Sequence, residues 1–145
     1  MSLRSPRSLR RAHGSALVEF ALVAFLLLFL IFAGFEFCRM MVVYTNLSNA
    51  ARVGARYAIC HGSNNTGGLS TGPGDTADLE DVVRNYARGL LDTNSLTITT
   101  TYPSGSNANG QRVRVRVTYD YDPWVAILAS GAFTLGATSE GVITF

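Results

Sequence analysis

The sequence predicts an α+β protein. A long N-terminal helix, part transmembrane stem and part extracytoplasmic, packs on a small head with one further helix and a three-stranded antiparallel sheet. Three observations predict this. Residues 16–37 contain no Arg, Lys, Asn, Gln or Pro, and their only charges, Glu19 and Glu36, lie near the two ends. From Met40 a stripe of Tyr44, Leu47, Ala51, Gly54 and Ala58 recurs at alternating spacings of four and three, which is helical periodicity. Beyond residue 95 the pattern changes to strict alternation, clearest in Arg112-Val113-Arg114-Val115-Arg116-Val117, which is strand periodicity.

The stem comes first. A helix over residues 16–37 is about 33 Å long at a rise of about 1.5 Å per residue. A bilayer hydrocarbon core is about 30 Å thick, so the run fits one crossing. An all-round apolar surface such as Leu26-Leu27-Leu28-Phe29-Leu30-Ile31-Phe32 would leave one face of a soluble helix in water. Arg4, Arg7, Arg10 and Arg11 precede the run, whereas Arg39 is the first basic residue after it. The positive-inside rule therefore leaves the N-terminus in the cytoplasm and sends the remainder across a single-pass inner (cytoplasmic) membrane. A cleaved signal peptide has an apolar core of about 7–15 residues followed by a small-residue site. Here the core is longer and runs on into more helix.

With no Pro between Pro6 and Pro73, one helix is expected from about residue 16 to about residue 59, roughly 66 Å. The segment before it, residues 1–14, is a basic leader rich in Ser, Pro and Arg and without apolar periodicity, so residues 1–13 are expected to be disordered. Residues 15–37 form the transmembrane stem, and residues 38–145 the extracytoplasmic head, which includes the outer half of the long helix.

All twelve basic residues are Arg, against ten acidic ones. Without the four leader arginines, eight Arg face ten acids, a net −2. The basic balance thus belongs to the leader and gives no support to nucleic-acid binding. Cys38 and Cys60 are 22 positions apart, about 33 Å on one helix, far beyond the roughly 7 Å that a disulfide tolerates between Cα atoms.

A Gly-rich polar loop over residues 61–74 follows and lacks the Gly-Lys-Ser/Thr ending of a phosphate-binding loop. Asp75 or Thr76 caps a second helix reaching to about Leu91, with Leu79, Val82, Val83, Tyr86 and Leu90 at helical spacing and Glu80–Arg84 as an i,i+4 pair. Leu96, Ile98, Thr100 and Tyr102 share one face of the first strand. Pro103 to Gln111 is a hairpin loop. Val113, Val115, Val117, Tyr119 and Tyr121 face the core from the second strand, while Arg112, Arg114 and Arg116 face out. Residues 123–132 form an apolar connection carrying Trp124, the only Trp. A last strand runs from Phe133 to about Phe145, with Gly141 a possible bulge. The outward arginines and Trp124 are the candidate partner surface. The bland alternative is a solvated sheet face that discourages edge pairing.

Glu19 is costly inside a span unless it reaches the interface or meets a cation. The residues around it resemble a known pattern. A basic leader, then Gly14-Ser15-Ala16-Leu17-Val18-Glu19-Phe20, the apolar run, Glu36-Phe37-Cys38-Arg39, and Asn49-Ala50-Ala51-Arg52-Val53-Gly54-Ala55-Arg56-Tyr57-Ala58 resemble the TadE-like family. That family comprises minor pilin-like proteins, or pseudopilins, of the tight-adherence (Flp pilus) machinery, which serves adhesion and secretion. The resemblance covers residues 10 to 60, with Cys38 standing where Gly is commoner. It implies cleavage between Gly14 and Ser15 by a prepilin peptidase. It further implies assembly through Glu19 and Phe20 with other pilin-like subunits on an inner-membrane assembly platform. It implies no cofactor, metal or small-molecule substrate.

Nor do the residues assemble a catalytic constellation. His13 lies in the leader, and Cys60-His61 alone offers neither the roughly four ligands of a zinc site nor converging side chains for a nucleophile pair. Two functions fit: a processed pilin-like structural subunit, or an unprocessed, permanently anchored extracytoplasmic binding domain.

Overall fold

A computed structural model describes residues 9–65, 70–124 and 133–144, with side chains from Gly14 onward. The expectations for residues 1–8, for the centre of the polar loop, for residues 125–132 of the apolar connection and for Phe145 lie outside the described residues.

Helix α1 spans Leu9–Cys60, 52 residues, or about 78 Å. It is the predicted long helix, but it starts earlier. Residues 9–13, expected to be disordered, are helical. Leu9, Arg10, Arg11 and Ala12 are good helix formers, as are the Ala and Leu of the stem, and no Pro interrupts the backbone ladder. Polar residues beyond the apolar run do not break α1 either. The Thr45 hydroxyl donates to the Met41 carbonyl and the Asn46 amide to that of Val42, each at 2.8 Å.

The head's layers are α1 and α2 (Ala77–Ala87) against a sheet of β1 (Leu96–Thr101), β2 (Arg112–Tyr121) and β3 (Phe133–Val142). The sheet is antiparallel in the order β1-β2-β3. Leu47, Ala50, Ala51, Ala55 and Ala58 of α1 meet Leu79 and Val83 of α2 and Val113, Val115 and Val117 of β2 in one core. Each fully buried Leu or Val there contributes about 1.5–3 kcal/mol relative to exposure. The predicted stripe is therefore largely the packing face of the domain itself. Tyr44 leaves it: it is 48% exposed, and Val43 packs against the core instead.

Small residues bring the layers close. A Cβ on Gly54 would sit 2.7 Å from Val83 Cγ2 and 3.1 Å from Val115 Cγ1. Gly141 is not a bulge. The β2–β3 register runs unbroken from Arg112↔Val142 to Tyr121↔Phe133. Gly141 serves instead as the place where Ile59 presses on the strand, with Ile59 Cδ1 only 2.3 Å from where a Cβ would stand.

Other local expectations are redrawn. Helix α2 ends at Ala87, and a turn then delivers Leu91 to the core. Glu80 and Arg84 do not pair: Glu80 accepts from the Thr76 hydroxyl, and Arg84 Nη1 donates to the Thr93 carbonyl. The polar loop is tethered. Thr71 is buried, and Asn107 of the β1–β2 connection donates to its carbonyl at 2.9 Å. That connection turns through Gly105 and Gly110, both at positive φ, where glycine carries no steric penalty. Strand β3 stops at Val142, yet the Ile143 amide still donates to the Gln111 carbonyl at 2.9 Å, and the Thr144 amide to that of Ile59 at 3.2 Å.

Candidate functional site: the stem and its junction with the head

The stem is a helix with nothing around it. Leu17, Phe20, Phe25, Phe35 and most other large apolar side chains of this stretch are between 44% and 73% exposed, Phe29 being half-buried. Water would make such a surface unfavourable by tens of cal/mol for each Å². Among the described residues this is the one helix long and apolar enough to cross a membrane. Gly14, Ser15, Glu19 and Phe20 all lie on it and are exposed. Ser15 and Glu19 are four apart and so share a face. No described side chain pairs with Glu19.

At its other end the stem meets the head through a cluster whose one local trace in the sequence is the Glu36–Arg39 pair. Glu36 accepts a hydrogen bond from the Tyr121 hydroxyl, 85 positions away. Arg39, one turn on, lies 3.6 Å from Glu36 and donates through Nη2 to the Asp122 carbonyl at 2.9 Å. Its guanidinium stacks 4.8 Å from the centroid of the Tyr121 ring and 4.5 Å from that of Trp124, a geometry in which the ring quadrupole attracts the cation. Phe133, paired with Tyr121 across the sheet, leans on it with centroids 5.3 Å apart. Two charges, a phenol and a backbone carbonyl thus pin the end of β2 to the top of the apolar run. Burial and the hydrogen bond to Glu36 push the Tyr121 phenol up to about 12.

The four residues of the predicted partner surface are not brought together. Arg112 and Arg114 lie toward the opposite end of β2 from Trp124. The seven steps from Arg114 to Tyr121 alone span about 23 Å. Arg112, Arg114 and Arg116 all point outward as expected, and Arg114 is ion-paired with Glu140 of β3. Trp124, 84% exposed, belongs to the junction.

Chemistry elsewhere is sparse. Cys38 and Cys60 are free and exposed. His61 stacks on Tyr57 with ring centroids 3.9 Å apart, and its Nδ1 bonds the Tyr57 carbonyl at 2.8 Å. The described residues hold no group of three or more His, Cys, Asp or Glu that could bind a metal.

Sequence reasoning identified the stem but missed the junction. The available signal was Glu36–Arg39, an i,i+3 ion pair where the apolar run ends. Its partners are distant in the chain, so only folding reveals them.

Compared with known proteins, residues 14–56 match the family model described as TadE-like protein. No curated protein and no solved structure gives a match. The match takes in Gly14, Glu19, the apolar stem and the Glu36–Arg39 pair. Together with the candidate span it supports a membrane-associated protein of the Tad pilus.

Proposed function

We propose that this chain, TadE-like over residues 14–56, is a minor pilin-like structural subunit, or pseudopilin, of a Tad pilus. The observation that carries this reading is the match over a stem whose large apolar side chains are mostly exposed. On this reading residues 1–14 are a leader, 15–37 the transmembrane stem and 38–145 the extracytoplasmic head. A prepilin peptidase cuts between Gly14 and Ser15, and the subunit joins other pilin-like subunits on an inner-membrane assembly platform.

The physical case for cleavage begins with Gly14. Helix α1 runs through the Gly14–Ser15 bond, and a peptidase needs local opening there. Gly is about 0.8–1 kcal/mol less favourable than Ala in a helix, so Gly14 is the cheapest place in the segment to open. Cleavage would turn Ser15 into the N-terminus of the helix, with a free amino group and the positive end of the helix dipole. A neighbour's Glu19 then meets a cation in a low-dielectric surrounding, and each charge offsets the other's desolvation. Stems gain little hydrophobic free energy from one another within lipid, so packing and this pairing must supply the specificity.

The test is the intact mass and N-terminal sequence of the membrane-extracted protein, coexpressed with its cognate peptidase. A new N-terminus at Ser15 is expected; an unprocessed chain would overturn the reading. The competing function is a permanently anchored extracytoplasmic binding domain, and the helical setting of Gly14–Ser15 is the observation in its favour. In that case the protein stays with membranes and never enters a sheared surface fraction.

A further inference from the structure

We infer that the underside of the head is a phospholipid seat: the groove between the top of the stem and Trp124 takes a lipid acyl chain, with Arg39 and Trp124 at headgroup level. The groove is lined by Phe32, Phe35, Glu36, Arg39 and Trp124. Phe32 and Phe35 are 57% and 71% exposed and form its floor on the stem. Its roof is the Trp124 indole, held at 4.5 Å over the Arg39 guanidinium.

Three observations commit the groove to lipid. It lies where the apolar run ends, and a run of about 33 Å against a core of about 30 Å puts that end at the headgroup boundary. Its composition is that of the interface, an amphipathic indole and an Arg whose stem lies along apolar surface. Its height is also fixed, because Arg39 is bound to the Asp122 carbonyl and Glu36 to Tyr121. A free surface indole would find its own depth, whereas this one stacks on Arg39 of the stem. Trp124 and Phe133, both exposed, then give the lower rim of the head the aromatic side chains that seat it on the leaflet. Such anchors set the tilt and depth of a single span.

The inference rests on the membrane span but not on cleavage after Gly14. Trp124 is the only Trp in the chain, so its fluorescence reports on this groove alone. The experiment reconstitutes the full chain into phosphatidylcholine–phosphatidylglycerol vesicles, with bromine placed either near the headgroup or near the acyl-chain end. Alkaline extraction establishes insertion independently. The expected result is a blue-shifted emission, quenched more strongly by headgroup-proximal than by chain-end bromine. Arg39→Gln should weaken that depth preference. Water-like, unquenched emission from inserted protein would overturn the inference and leave the span intact. A blue shift indifferent to bromine but dependent on the protein-to-lipid ratio would identify a second copy of the chain as the occupant, and would equally overturn it. Failure to insert at all would fall on the span itself.

Discussion

Tyr121 is 1% exposed, and its hydroxyl is given to Glu36, a carboxylate at the edge of an apolar stem. An uncompensated charge there would be costly, and the phenol and Arg39 are the partners that offset it. Hydrogen bonds to charged groups contribute about 1.5–3 kcal/mol. Tyr121→Phe is expected to lose about that much, read as a lower melting temperature in detergent micelles and faster amide exchange around Glu36. Unchanged exchange would show that the contact contributes nothing. The alkaline limit follows from the same bond. The phenol is held neutral up to about 12 in the folded head, against about 10 in an unfolded chain. The folded state binds the proton more tightly, so the contribution is complete below about pH 10 and lost on rising toward about 12. Near-UV dichroism across that window should follow the loss, and Tyr121→Phe should flatten this part of the profile.

At the level of elements, α1 serves two environments with one backbone. Its outer half is a packing surface made by small residues, and Gly54 is the tightest of them. Gly54→Val would place a branched side chain into Val83 and Val115, and overpacking of this kind costs about 1–3 kcal/mol. Gly34 lies in the stem with nothing within 4 Å of its would-be Cβ. There Gly34→Ala should leave the head unaffected, or gain about 0.5–1 kcal/mol in helix stability. Thermal unfolding of the two variants separates a packing glycine from a merely permissive one. An equal effect at both positions would contradict the packing account.

For the whole molecule, the decisive contrast is between a closed head and an open stem. The head closes on itself, its Arg114 paired with Glu140 and the apolar face of its sheet packed on α1 and α2. The stem leaves its apolar side chains to whatever surrounds them. On the proposed reading as a pilin-like subunit, assembly should therefore depend on stem residues and tolerate changes on the outer sheet face. Glu19→Ala is expected to insert normally but to lower the yield of sheared filament. Filament yield equal to wild type would remove Glu19 from assembly. Because Glu36 and Arg39 fix the head to the stem, the head should travel with the stem as one body when a subunit is extracted. Limited proteolysis of wild-type protein should then spare the junction, and Tyr121→Phe should expose it.

The sequence by itself determined the stem, the outer half of α1, the three strands and which face of β2 is buried. Each of these rests on composition or on a period of two or about three and a half within a short window. Periodicity did not locate where α1 begins, because helix propensity continues through Leu9–His13 without an apolar pattern to mark it. Tyr44 and Gly141 were misread for a related reason. A stripe or an isolated glycine fits several packings until the neighbour is known, and here the neighbours are the core inside Val43 and the Ile59 side chain. Glu36, Arg39, Tyr121 and Trp124 were each visible as residues, but nothing local groups the first two with the last two. Their meeting depends on antiparallel pairing that returns the end of β2 to the top of the stem, and no local window contains that information. Local chemistry wrote the elements, and tertiary structure alone decided where the head is fastened to its stem.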